Sequence, residues 1–283
     1  MISFNNFNQV YQSVVSEIIK IWTPQMQNEI SFHNIEWNPE HYCFENYLRK
    51  SVVRYYIVYN HINHLKVKSI CDIGGFLGVF PILMKRMGYD VTMTEALKYY
   101  NTSFDLLFEK IKNEGVEILD FDPFDNTNIK IFRKFDFITV MAVIEHYPHS
   151  LKPFMDVVTS LLKENGKLYI EVPNIAYWPK RIKLFLKGET PISNFESIYN
   201  SKIPFIGHHH EYTMAELRML AKLSNLDILK EHYYNYSVTG FDLFKSFIKN
   251  PLLIVGLLFL KNSFECISVL CKSRSNKINC DNS

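Results

Sequence analysis

Apolar residues recur at helical spacing through the first 65 positions. Phe7, Val10, Tyr11, Val14, Val15, Ile18, Ile19 and Trp22 share one stripe, and Phe44, Tyr47, Leu48, Val52, Tyr55, Tyr56, Tyr59 and Ile62 share a second. They predict two helices joined by the turn-rich stretch TPQMQNEISFHNIEWNPEHY, and together a helical N-terminal cap over residues 1–65. From residue 68 the period changes. VKSICDI reads as a short buried strand, and VFPILMKRMG as a helix with Pro81 in its first turn and Gly88 at its stop. YDVTMTE predicts a strand, ALKYYNTSFDLLFEKIKNEG a helix, VEILD a short strand and FDFITVMAV a central one. Leu151, Phe154, Met155, Val158, Leu161 and Leu162 keep helical spacing, and Asn165-Gly166 turns the chain into the strand KLYIEVP. Strands alternating with helices mean a parallel sheet covered on both faces, a doubly wound α/β fold.

The alternation breaks after Pro173, where residues 175–210 are basic, aromatic and irregular, and are expected to form a lid over the acceptor, with a solvated amphipathic helix as the alternative. It resumes at Thr213, whose T-x-x-E spacing to Glu216 is a capping box for the next helix. LDILKEHYYN and FECISVLCK read as the last strands; an apolar helical insertion at 241–262 lies between them, and a disordered tail at 276–283 follows. Within the insertion, PLLIVGLLFL (251–260) is ten apolar residues, half of the roughly 20 that a spanning helix needs. A buried helix or a homodimer contact is expected there; peripheral membrane contact is the alternative.

Composition narrows the partners. A net charge of +2 on 283 residues gives no reason to expect nucleic acid. Five cysteines without a C-x-x-C pair suit a reducing compartment. The N-terminal MISFNNFNQ has no basic region followed by an apolar core, so no secretory signal and a cytoplasmic location are expected.

The chemistry gathers at strand ends. SICDIGGFLGVFP (69–81) does not fit G-x-G-x-x-G, because Ile73 stands where the first glycine would be. It reads D-x-G-G-x-x-G, with Asp72 followed by Gly74, Gly75 and Gly78. A pyrophosphate wants backbone N–H groups and no carboxylate close by. Asp72 therefore favours a ligand that carries an ammonium group and no phosphate, as S-adenosylmethionine does. Glu95 ends the second strand, where an acid accepts from ribose hydroxyls. Asp120 and Phe121 end the third, placed to accept from an adenine amino group and to stack on its ring. Phe76 must then point away from the cofactor.

The chain from about Lys68 to Lys272 resembles the class I S-adenosylmethionine-dependent methyltransferases. CDIGGFLG is similar to their first motif, TMTE to the second-strand acid, and FDFITVMAVIEHYPH to the fourth strand with its V-x-E-H. LLKENGKLYIEVPN is similar to the fifth-strand motif, and GHHHEYTMAELRMLAKLSNLDI to a segment of the branch containing ubiquinone-pathway and surface-polysaccharide methyltransferases. Phe76 and Asn165 depart from the family's glycines. The resemblance implies a mostly parallel seven-stranded sheet of order 3-2-1-4-5-7-6 with strand 7 antiparallel. It implies S-adenosylmethionine bound by Asp72, Gly74, Gly75, Gly78, Glu95, Asp120, Phe121 and Met141. The implied reaction is methyl transfer to a small-molecule or glycan acceptor, with O-methylation of a sugar expected and a quinone-like or lipid acceptor as the alternative. A nicotinamide enzyme and a non-catalytic binding protein are the rivals from other classes.

His146, just past the fourth strand, is one candidate base; its bland role is packing beside the cofactor. His208, His209, His210 and Glu211 raise the question of a metal. Adjacent residues point in different directions in extended chain, and no H-x-x-x-H spacing supports a site, so no metal is expected. One of His208 and His210 is expected to face the acceptor with Tyr212.

Overall fold

Seven strands order themselves 3-2-1-4-5-7-6 in one sheet of a computed structural model, which describes residues 2–38, 40, 42–122, 133–237 and 260–274. Strands β1 (Ser69–Ile73), β2 (Asp90–Glu95), β3 (Glu117–Asp120), β4 (Phe135–Met141) and β5 (Leu162–Pro173) run parallel. The last two, β6 (Leu226–Tyr234) and β7 (Cys266–Ser273), pair antiparallel with each other, and β7 pairs antiparallel with β5. This is the expected sheet, order and direction included. The insertion at 241–262 and the tail at 276–283 fall almost wholly outside the described residues.

Side-chain alternation gives the sheet two cores. Ile70, Phe137 and Tyr169 pack on one face against the N-terminal helices, while Cys71, Ile138 and Ile170 pack on the other. The first core is continuous from the apolar stripe of α1 (Phe4–Ile21) through α5 (Val79–Arg86) to the sheet. Salt bridges follow the same contacts: Arg86 of α5 reaches Glu17 of α1 at 2.7 Å, and Lys110 of α6 (Asp105–Asn113) reaches the same carboxylate at 2.7 Å.

Four elements differ from the sequence expectation. The stretch after Trp22 contains a helix, α2 (Pro24–His33), because Thr23 caps it by accepting the Met26 N–H and Pro24 fits its first turn. The second expected helix is two, α3 (Phe44–Lys50) and α4 (Val52–Asn63), which meet at Ser51. The helix expected from Ala96 starts only at Asp105. Before it, Asn101 accepts the Ser103 N–H and Asp120 accepts the Leu97 N–H, so the chain makes two short 3-10 turns instead. The lid region contains α8 (Trp178–Lys187) and α9 (Phe195–Asn200). The helix α10 (Met214–Leu223) stands where the capping box put it, whereas α7 (Leu151–Ser160) ends before Leu162, which already pairs with Phe135 at the start of β5, so Asn165-Gly166 falls within that strand at a register shift.

Candidate functional site

The carboxyl ends of β1, β2 and β4 open into a cavity of about 680 Å³. Register explains why these ends meet: Asp72 stands beside Met93 and Thr139, and Glu95 beside Asp120. The turn after β1 needs its glycines. Gly74 has φ +67° and a Cβ there would come within 2.9 Å of Val143; Gly78 has φ +69° and a Cβ would meet Ile111 at 2.5 Å. Gly74 and Gly75 both donate to the Thr94 carbonyl, at 3.1 and 3.2 Å, which binds the turn to β2.

Asp72 is buried, and Thr139 donates to its Oδ1 at 2.6 Å. Its Oδ2 lies 3.2 Å from where a Cβ on Gly75 would stand, so glycine keeps the space before this oxygen open. Glu95 is buried too: the Phe76 N–H donates to Oε1, and the Tyr100 hydroxyl to Oε2 at 3.0 Å. Each carboxylate oxygen retains a second acceptor site. Burial pushes both acids up to about 7, because neither charge meets a cation. A ligand that brings an ammonium group and two hydroxyls fits this donor set. Phe121 and Met141 line the same cavity. Asp120 and Gly78 do not: the Leu97 N–H holds the Asp120 carboxylate at 3.0 Å, and Gly78 caps α5 behind the turn. Phe76 takes φ +46° and borders the cavity, but its ring joins Trp37 and Phe44 at centroid distances of 6.3 and 6.0 Å.

The opposite wall is aromatic and comes from the N-terminal helices: Trp37, Tyr42, Phe44, Tyr47 and Tyr55, joined by Tyr236. Arg54 of α4 sits among them, 3% exposed. Its Nη1 donates to the Tyr47 hydroxyl at 2.8 Å, its Cζ lies 4.9 Å from the Tyr236 ring centroid, and its Nε is 3.0 Å from Glu171 of β5. Neither Arg54 nor Glu171 was singled out in the sequence, although a cation inside an apolar helical stripe was a visible signal.

His146 stands between the two walls. Its Nδ1 lies 2.7 Å from the Ile206 carbonyl. A carbonyl can only accept, so Nδ1 carries the proton and Nε2 keeps its lone pair. Burial, and the nearby His208, hold its pKa down at about 3, so the ring is neutral. His208 lines the cavity with its ring 4.8 Å from that of His146 and its Nδ1 2.8 Å from Glu211. Burial opposes its protonation, but Glu211 and Glu145 outweigh this and raise its pKa. Glu145 is fully buried with no hydrogen bond to either side-chain oxygen, and its donors and those of His146 and His208 lie within 4.8 Å of one another. This cluster, not the run of three adjacent histidines, is the arrangement among the described residues that could hold a metal ion. His209 and His210 are exposed; their backbone N–H groups tie the loop to the Glu145 carbonyl at 2.7 and 3.3 Å. Tyr212 lies outside the cavity wall and donates to the Ile144 carbonyl at 3.3 Å, so it props this turn.

Sheet order and site invite comparison with known proteins. A methyltransferase from Clostridium acetobutylicum, described as S-adenosylmethionine-dependent, superposes with a TM-score of 0.52 at 15% identity, over 78% of this chain and 90% of that one. Another from Archaeoglobus fulgidus gives 0.51 at 15% identity, over 81% and 94%. The 1,6-didemethyltoxoflavin-N1-methyltransferase of Burkholderia thailandensis gives 0.51 at 12% identity, over 97% and 92%. These likenesses show the fold. No curated protein matches the chain. The model of the family described as "Methyltransferase domain" matches residues 46–231, well over half of the chain, and the chain belongs to that family.

Proposed function

We propose that the chain is an S-adenosylmethionine-dependent O-methyltransferase whose acceptor is a small, ring-bearing molecule with a phenol-like hydroxyl. One observation carries the reading: a single cavity joins Asp72, Gly74, Gly75 and Glu95 to an aromatic wall, with the neutral His146 between them. When bound, S-adenosylmethionine supplies a methyl group already activated on a sulfonium. The chain's own residues then have three tasks. Asp72 offers its carboxylate to the ammonium, and Glu95 offers its remaining acceptor sites to the ribose hydroxyls. The aromatic wall excludes water and orients a flat acceptor.

The third task is proton removal. His146 keeps Nε2 free to accept, because Ile206 fixes the proton on Nδ1. A ring with a pKa near 3 is a weak base. It is far better matched to a phenol, with a pKa of about 10, than to a sugar hydroxyl several units higher. This favours the quinone-like alternative over the sugar. So does the lid: Lys180 is ion-paired with Glu211, and none of Lys180, Arg181, Lys183 and Lys187 lines the cavity to meet a sugar phosphate. The Burkholderia enzyme, whose structure holds 1,6-didemethyltoxoflavin with S-adenosylhomocysteine, aligns along 97% of this chain, which supports a small molecule as acceptor.

The test is S-adenosylhomocysteine release with two panels, phenols and catechols against nucleotide-linked sugars. Turnover with the phenols is expected; turnover with sugars alone overturns the acceptor, and turnover with neither, despite S-adenosylmethionine binding, favours a non-catalytic protein. His146→Ala is expected to lower kcat by about 100-fold with cofactor affinity within about twofold. The reverse pattern would give His146 a packing role only.

A further inference from the structure

Helix α8 turns an apolar stripe to the surface. Trp178, Ile182, Phe185 and Leu186 fall on one face at i, i+4, i+7 and i+8, and Lys180, Lys183 and Lys187 lie on the other. A stripe of this kind normally marks the buried side of a helix; α1 buries its own with Phe7, Tyr11, Val14, Val15 and Ile18. No residue of α8 is buried: Phe185 is 88% exposed and Leu186 69%. The exposure continues along the chain through Phe195, Tyr199 and Ile203. Seven of the fifteen large apolar side chains exposed among the described residues lie between positions 184 and 203, so this is a concentration, not ordinary scatter.

The same segment carries a cationic surplus. Residues 178–206 hold five Lys and Arg against two Glu, a surplus larger than the net charge of +2 of the whole chain. It also borders the cavity. Pro204 and Ile206 line the cavity, Lys202 donates its backbone N–H to Phe32 at 3.1 Å, and His33 meets the Pro204 carbonyl at 3.0 Å.

We propose that α8, α9 and the 201–203 turn form a docking surface for a lipid bilayer with anionic headgroups. The apolar face enters the headgroup boundary and Arg181, Lys183 and Lys187 of the polar side meet phosphates, while Lys180 is held by Glu211. A second copy of the chain is a poorer occupant, since a symmetric contact would set the same cationic surplus against itself. Docking stands on this surface alone. Its further consequence, that an apolar acceptor passes from the lipid to the cavity mouth, rests on the ring-acceptor reading above.

Vesicle flotation of the full chain tests this, with phosphatidylcholine alone and with phosphatidylglycerol added, at low and high salt. Binding to the anionic vesicles at low salt, and loss of it in high salt or on phosphatidylcholine alone, is expected. Phe185→Asp with Leu186→Asp is expected to abolish it at unchanged melting temperature and unchanged S-adenosylmethionine affinity. Lys183→Ala with Lys187→Ala is expected to weaken it by on the order of tenfold. No binding to the anionic vesicles, or binding that the Asp variant retains, overturns the proposal. A dimer in solution that the Asp variant disperses overturns it in favour of a self-contact. Since phenol turnover in detergent-free buffer is measured apart from flotation, failure of docking and failure of the acceptor reading are distinguishable.

Discussion

At the glycine end of the cavity, the polar groups stand on adjacent strands and are 23 residues apart at most: Asp72, Gly74 and Gly75 after β1, Glu95 after β2. At the aromatic end they come from α3 and α4 on one side and from Glu171 and Tyr236, more than a hundred residues later, on the other. The first end is held by backbone: a turn with two left-handed glycines, Gly74 and Gly78, in which the N–H groups of Gly74 and Gly75 bind Thr94 of β2. The second is held by side chains packed on one another. It also rests on one buried ion pair, so it is the end a single substitution can detach.

Arg54→Ala should have the largest effect on the molecule. The side chains of Arg54 and Glu171 are 4% and 0% exposed, and truncation leaves the Glu171 charge without its partner. Breaking such a pair costs about 3–5 kcal/mol, whereas an apolar replacement of both partners is often neutral. Chemical denaturation should therefore show a large loss for Arg54→Ala and most of it regained in Arg54→Met with Glu171→Leu. A single variant that costs nothing would mean the pair does not hold α4 to the sheet.

Asp72→Asn should break the glycine end instead, and with a sign that depends on pH. The folded pKa of Asp72 without ligand is raised to about 7 from 3.8. A raised carboxyl contributes stability below its unfolded pKa and loses it as pH rises through about 7. The ligand-free chain is therefore strained by this charge at pH 8, and Asp72→Asn should be more stable there by about 1–3 kcal/mol, with little gain at pH 4. The same change should cost about 100-fold in S-adenosylmethionine affinity at pH 8, because a charged hydrogen bond is lost. In the unaltered chain that affinity should fall as pH drops below 7. Calorimetry at both pH values checks the pair of effects; unchanged affinity would remove Asp72 from the cofactor site.

The two ends also differ in how far they could be read from sequence. The strands, the glycine turn and the acids Asp72 and Glu95 are local features, each set by residues within one strand-turn-helix unit, whereas the sheet order was legible only through the family resemblance. Asp120 was legible as a strand-end acid, but its fate depended on the Leu97 N–H. That N–H is available because the segment after β2 makes 3-10 turns, not the helix its periodicity suggested. Glu145 sat in view inside V-x-E-H beside His146. Its burial, however, is made by the cavity wall and by the loop at 207–211, whose backbone N–H groups take its carbonyl. Trp37 fell in a stretch that read as turns, and nothing in its neighbours tells that it meets Phe76 and His146. Residues that close the cavity from a distance carry no spacing for a sequence reading to detect.

Trp37→Ala is the finest test of whether the ends are separable. Trp37 is half-buried, with ring centroids 6.0 Å from Phe44 and 6.3 Å from both Phe76 and His146, so it touches the aromatic wall, the glycine turn and the candidate base together. Its carbonyl accepts from Gln27 at 2.6 Å and from Ser31 at 2.8 Å, bonds the substitution leaves in place, so the local backbone should hold. Loss of the indole then removes apolar contact to the acceptor, worth about 1–3 kcal/mol, and KM for the acceptor should rise by about tenfold. The cofactor end should not notice: Asp72 and Glu95 keep their partners Thr139, Tyr100 and the Phe76 N–H, none of which Trp37 supplies. S-adenosylmethionine affinity is therefore expected within about twofold of the unaltered chain. A joint fall in acceptor and cofactor affinity would show that Phe76 transmits the loss from the aromatic wall into the glycine turn, and the cavity would then be one coupled site, not two.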